Sequence, residues 1–145
     1  MPWMLAVERR ILLCRRAIEP RAGKWTIPAG YLENGETVAA GAVREVREEA
    51  RAHVREPMPF GLYNICHVNQ IYLIFHAQMA DAAFGAGSES QAARLFEIAQ
   101  LPWDQLAFPV IERTLKNFAA ACQSNDFRFH IEDITDRLGL ENRQR

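Results

Sequence analysis

Gly30-Tyr-Leu-Glu-Asn-Gly-Glu36-Thr-Val-Ala-Ala-Gly-Ala-Val-Arg44-Glu45-Val46-Arg47-Glu48-Glu49-Ala50-Arg51-Ala52 is the stretch whose reading decides this chain. From Thr37 to about Arg51 it has no proline, and Val38, Ala39, Ala42, Val43, Val46 and Ala50 recur at helical spacing, so a helix is expected there. With Arg44 at zero on a wheel of about 100° per residue, Glu48, Glu45 and Glu49 fall at roughly 40°, 100° and 140°. Ala42, Val46, Ala39, Ala50 and Val43 cluster between roughly 160° and 260° on the same wheel. One side of the helix can therefore bury against a sheet while the carboxylates look into a cleft. Carboxylates this close repel one another, and a hard divalent cation such as Mg²⁺, which takes oxygen ligands and keeps waters, relieves that repulsion. It also neutralises phosphate oxygens and acidifies water for attack on phosphorus. Taken alone, Arg44 to Glu49 reads better as an ordinary solvated helix face held by pairs such as Arg44 with Glu48. The residues outside the helix reverse that preference.

Working outward, Trp3–Val7 and Ile11–Cys14 read as two short strands or one broken strand, with Glu8-Arg9-Arg10 as the turn between them. Residues 18–34 are rich in Pro and Gly, and only Lys24–Ile27 is extended enough for a strand, so this is a long and hence functional loop. Gly61–His67 and Gln70–Met79 are β-branched and aromatic and are expected to be strands. Asp81–Ser90 reads as a loop, Ala93–Glu97 as a strand and Val110–Ala121 as a second amphipathic helix. The polar segment from Ser124 receives no assignment. Strands, a loop, a helix, more strands and a helix describe an α+β protein, an α/β/α sandwich on a mixed β-sheet. A chain of 145 residues, 49% hydrophobic, is long enough for one core, so one domain over 1–145 is expected, with 124–145 as a polar extension.

Net charge −1 supplies no broad positive field for a polynucleotide. No run approaches the roughly 20 apolar residues of a membrane span, and the N-terminus lacks the order of a signal peptide, so a cytoplasmic protein is expected, without nucleic-acid or membrane partners. Cys14, Cys66 and Cys122 are odd in number and never paired at Cys-x-x-Cys spacing, which favours free, mostly buried thiols. His53, His67, His76 and His130 show no metal-ligand spacing.

The stretch from Gly30 to Ala52 resembles the Nudix box: Gly, five residues, Glu, seven residues, Arg-Glu, an aliphatic, any residue, Glu-Glu, any residue, Gly, an aliphatic. Gly30, Glu36, Arg44, Glu45, Val46, Glu48, Glu49 and Ala52 match. A chance match at the strict positions anywhere in a chain of this length is on the order of 1 in 100,000. Ala50 is taken as the departure, standing where the family has glycine.

The resemblance implies the Nudix fold and a hydrolase whose metal, Mg²⁺ or alternatively Mn²⁺, is held by Glu45, Glu48 and Glu49 with the backbone carbonyl of Ala29 or Gly30. It also implies that Arg44 orients Glu45 and that Glu36 fixes the loop to the helix. In some members the first of these glutamates is the general base; in others a carboxylate of a later loop is, and Glu89 is the candidate here, against the alternative of an ordinary exposed loop acid. Further segments, Leu13–Pro20, Gly23–Gly30, Glu89–Phe96 and Pro102–Pro109, resemble a branch associated with ADP-ribose and FAD pyrophosphatases. Many members of that branch carry an N-terminal zinc ribbon, which these residues lack.

The implied reaction is hydrolysis of a nucleoside diphosphate derivative into AMP and a phosphorylated remainder. Alternatives are a nucleoside triphosphate pyrophosphohydrolase and a nucleotide-sensing module that does not cut. The expected partner is a small nucleotide, and the family implies a homodimer. Trp25, Tyr31, Tyr72, Phe60 and Phe96 are candidates for stacking on a flat base, with ordinary core packing as the competing role. Arg16 and Arg21 are candidates for the diphosphate.

Overall fold

The computed structural model describes residues 10–135; the expected strand Trp3–Val7 lies outside them. In chain order the elements are β1 (Arg10–Arg16), β2 (Trp25–Thr26), α1 (Val38–Ala50), β3 (Val54–Ile65), β4 (Gln70–Met79), β5 (Ser90–Glu97), α2 (Pro109–Ser124) and β6 (His130–Ile134). They form two three-stranded sheets, β2-β1-β5 and β4-β3-β6. The first is antiparallel throughout; the second is mixed, with β3 antiparallel to β4 and parallel to β6.

Successive residues of β1 point to opposite sides. Ile11 and Leu13 join a core with Ile111, Leu115 and Phe118 of α2, whereas Leu12 joins Ala50, Ala52 and Val46 of the α1 side. The two helices thus cover opposite faces, giving the expected α/β/α layering. Thr37 caps α1, its Oγ1 accepting from the Ala40 amide at 3.1 Å, and α2 opens with Pro109, whose missing N–H costs nothing in a first turn.

β5 begins at Ser90, three residues before the expected Ala93, and two other strands differ more from the sequence reading. β3 begins at Val54, not Gly61, although Pro57 and Pro59 lie inside it. The register shifts between Arg55 and Met58, where Pro57 is unpaired, and again between Pro59 and Gly61, so Pro59, opposite Phe75, borders the second irregularity. β6 arises within the unassigned polar tail. Its Ile131 and Asp133 are exposed while Ile134 is buried, so its composition is that of an edge strand with one wet face. The three thiols are free, as expected, but only Cys14 is buried, Cys122 being half-buried and Cys66 exposed. No helix among the described residues is long and apolar enough to cross a membrane.

His76, 5% exposed, sits among Phe60, Phe118 and Phe127, with the Phe127 ring stacked at 5.3 Å. Burial holds its pKa below the usual histidine range. The unfolded chain therefore takes up a proton near the ordinary histidine pKa before the folded chain does, and the stabilisation present above that pH is lost as pH falls. His76→Phe is expected to lose less of its melting temperature between pH 7.5 and pH 5 than the parent. Thermal melts at the two pH values check this.

Candidate active site

The long loop before α1 and the first turns of the helix are joined by one side chain. Arg44 donates from Nε to Glu36 Oε2 at 2.7 Å and from Nη2 to Glu36 Oε1 at 3.0 Å, a two-pronged grip. Its Nη1 donates to Glu45 Oε1 at 2.7 Å and Glu48 Oε2 at 3.1 Å, and Nη2 also reaches the carbonyl of Tyr31 at 3.1 Å. Hydrogen bonds from Arg44 and from the Glu33 amide hold the Glu36 carboxyl below the usual carboxylate range. These contacts push Arg44 further up from an already high value, Glu36 first and Glu45 second. Arg44 thus fastens the loop to the helix and aims two of the three clustered carboxylates.

The third carboxylate is held differently. Glu49 Oε2 accepts from the Ala29 amide at 3.1 Å, and the Cys14 thiol lies 3.8 Å from the same oxygen. Burial first, countered by the Ala29 amide and reinforced by the adjacent Glu45 carboxylate, pushes Glu49 up to about 7. Burial likewise pushes the Cys14 thiol up to about 12, so next to Glu49 it is a neutral donor.

As the side chains stand, no three His, Cys, Asp or Glu among the described residues are close enough together to cage a metal. The donor set nevertheless fits a hard cation. Glu45 and Glu49 lie within hydrogen-bonding reach of each other, and such a pair retains a proton unless a cation displaces it. Gly30 leaves the necessary space: a Cβ there would lie 2.2 Å from Glu45 Oε1. A groove of ≈ 420 Å³ along α1 is lined by Ala39, Ala40, Val43 and Pro57, and although it touches Arg44 and Glu36 it includes none of Glu45, Glu48 and Glu49. The three carboxylates lie outside that groove: Glu48 is exposed, whereas Glu45 and Glu49 are partly buried beside the Gly30 loop.

The family model for the NUDIX domain matches residues 3–118. The chain belongs to the NUDIX domain family. An ADP-ribose pyrophosphatase of Methanocaldococcus jannaschii is 30% identical over 117 residues, which cover 77% of this chain and 66% of that protein. A Nudix hydrolase of Nitrosomonas europaea superposes with a TM-score of 0.84 at 42% identity, over 88% of this chain and 73% of that one. An ADP-ribose pyrophosphatase of Streptococcus suis, at TM-score 0.65 and 21% identity over 86% of this chain and 90% of that one, shares the fold.

The departure from the Nudix box falls one residue later than expected. Counted through the chain, the pattern's glycine position is Arg51, and Ala50 occupies the unrestricted position before it. Arg51 is the C-cap of α1 with φ 48° and ψ 34°, the left-handed conformation that glycine adopts without strain. Ala50 is fully buried against the sheet. Arg51→Gly is expected to stabilise the Nudix domain by about 0.5–1 kcal/mol, the relieved strain less the added freedom of the unfolded chain. Urea unfolding of the two proteins checks it.

The remaining candidates separate into two groups. Trp25 is 5% exposed, its ring meeting Phe96 edge-on and the Arg15 and Arg94 guanidinium groups, so it is a core residue and not an open stacking platform. Phe60 and Phe96 are likewise core. Arg21 donates from Nε to the Ala107 carbonyl at 2.9 Å, which makes it a staple between loops. Tyr31, by contrast, is 82% exposed, and its hydroxyl accepts from Gln70 Nε2 at 3.1 Å. Tyr72 is half-buried, raised in pKa by burial and by nearby Tyr31, while Arg16 acts on both Tyr72 and Glu49. Arg16 also lies over the Phe108 ring at 5.2 Å.

Tyr31, Tyr72 and Arg16 therefore lie on the carboxylate side, and Glu89 is exposed in the loop that caps α1. Sequence reasoning passed over Cys14 as a contact of Glu49 and Gln70 as a contact of Tyr31. Neither carries a local signal, because both contacts are made between segments distant in the chain.

Proposed function

We propose that this chain catalyses Mg²⁺-dependent hydrolysis of the diphosphate bond in a nucleoside diphosphate derivative such as ADP-ribose or FAD, releasing AMP and a phosphorylated remainder. The observation that carries this reading is the Arg44 hub, which fixes Glu45 and Glu48 beside Glu49 at the edge of the Gly30 loop. Similarity to the ADP-ribose pyrophosphatase of Methanocaldococcus jannaschii, of which the chain spans 66%, supports ADP-ribose as the substrate class.

Glu45, Glu48 and Glu49, with the carbonyl of Ala29 or Gly30, would hold the cation; Mn²⁺ is the alternative ion. When bound, the ion supplies neutralisation of the diphosphate oxygens and acidification of water. Arg44 keeps its two carboxylates from swinging away, so the site costs little reorganisation when substrate arrives. Arg16 faces the diphosphate, and Tyr31 and Tyr72 flank the base. Glu89 accepts a proton from the attacking water as the new oxygen–phosphorus bond forms. The bridging oxygen leaves with the electron pair of the broken phosphorus–oxygen bond.

Comparing kcat/KM for ADP-ribose, FAD and dGTP with Mg²⁺ or Mn²⁺ tests the substrate class. ADP-ribose or FAD is expected to exceed dGTP by at least about tenfold, the discrimination that a few pocket contacts supply. Preference for dGTP would overturn this assignment in favour of a triphosphate pyrophosphohydrolase.

A further inference from the structure

We propose that the loop between β4 and β5 clamps the end of α1, and that Gly87 and Ser90 are positioning residues that act on the reaction through Glu89. This inference rests on the functional reading above, in which Glu89 serves as the base.

The last carbonyls of a helix have no partner within it. In α1 the loop provides partners. The Glu49 carbonyl accepts from the Gly87 amide at 3.1 Å and from the Ser90 hydroxyl at 2.9 Å, and the Ala50 carbonyl accepts from the Gly85 amide at 2.8 Å. The backbone of a clustered carboxylate residue is thus bonded directly to the loop that carries Glu89.

The turn itself is closed by the Ser90 amide donating to the Gly87 carbonyl at 3.1 Å, with Glu89 in its third position. The Ala17 amide donates to the Glu89 carbonyl at 3.0 Å, tying the same turn to the end of β1 beside Arg16. Glu89 therefore has a fixed backbone and an exposed carboxylate. A base that must meet a water at a defined position needs both.

Gly87 permits this approach. A Cβ on it would lie 1.8 Å from the Glu48 carbonyl oxygen, 2.8 Å from the Glu48 carbonyl carbon and 3.0 Å from the Glu49 Cα. All three are backbone atoms of a helix packed against the sheet, and none can yield as a side-chain tip would. With alanine at 87 the loop must retreat by roughly 1 Å, a displacement that at a reacting group costs on the order of 100-fold in rate. The carboxylates stay on α1 and keep their Arg44 and Ala29 contacts, so the retreat acts on Glu89 and leaves the cation donors in place.

The test is a double-substitution cycle on the full chain, with ADP-ribose and Mg²⁺ as the assay. Mn²⁺ binding followed by electron paramagnetic resonance without substrate, and thermal melts, are the accompanying readouts. Gly87→Ala is expected to lower kcat about 100-fold, with Mn²⁺ affinity changed less than about threefold. Added to Glu89→Gln, it is expected to cost less than about twofold more, because residues acting as a unit are not additive. If Gly87→Ala does not melt cooperatively, Ser90→Ala takes its place in the same cycle, with an expected loss of about tenfold.

Equal losses in the parent and Glu89→Gln backgrounds, or parental kcat in Glu89→Gln, would overturn the clamp while leaving the hydrolase reading intact. No metal-dependent turnover by the parent chain would overturn both.

Discussion

Substituting Gln for Glu48 and Glu49 together is expected to lower metal-dependent diphosphate hydrolysis by at least about a thousandfold and to abolish the rise in melting temperature on adding Mg²⁺. The amides keep the volume and an acceptor for the Ala29 donor at 3.1 Å, so the fold is spared while two negative charges are removed. The metal-free behaviour points the same way. Glu49, pushed up to about 7 by burial and by Glu45, is a group whose folded pKa exceeds its unfolded value. Its favourable contribution is fully present below the unfolded carboxylate pKa and is lost as pH rises through 7. In chelator at pH 8, Glu49→Gln is therefore expected to melt higher than the parent, and with Mg²⁺ the order is expected to reverse. Melts with and without Mg²⁺, run beside the activity assay, separate a lost cation site from a damaged fold.

Arg44→Lys is expected to reduce kcat/KM about 100-fold and to lower the melting temperature, although the charge is retained. Arg44 makes five hydrogen bonds in a fixed planar geometry, to Glu36 twice, Glu45, Glu48 and the Tyr31 carbonyl. An ammonium has three donors around one nitrogen, so it cannot grip Glu36 with two prongs and still reach two helix carboxylates and the loop. Lost with the grip is the attachment of the Gly30 loop to α1. Steady-state kinetics paired with thermal melts check both effects.

The part of this protein visible from its sequence is the part whose physics is local. The absence of proline from Thr37 to Arg51 and the 3.6-residue recurrence of small apolar residues delimit α1 to within a residue at each end. The facing of Glu45, Glu48 and Glu49 follows from the same periodicity, and the spacing of Gly30 and Glu36 carries the box. What escaped depends on contacts between distant segments. Pro57 and Pro59 argue against a strand until bulges are allowed for. β6 is polar because its inner face joins a network: the Tyr63 hydroxyl and His130 Nε2 are 2.6 Å apart, and Asn117 hydrogen-bonds Glu132. Trp25 has the composition of a stacking residue, and only its burial between two guanidinium groups shows that it is core. Arg51 occupies a glycine position, a mismatch visible in the box spacing, but its φ of 48° is a property of the folded backbone.

The most direct test of the account is to incubate the purified chain with ADP-ribose in ¹⁸O-labelled water, with Mg²⁺ or with EDTA, and to separate the products. AMP and a phosphorylated remainder are expected only with Mg²⁺, with one ¹⁸O incorporated into one of the two phosphate groups. Saturable binding of ADP-ribose with no AMP released under Mg²⁺ or Mn²⁺ would contradict it and make this Nudix domain a sensor that binds a nucleotide without cutting it.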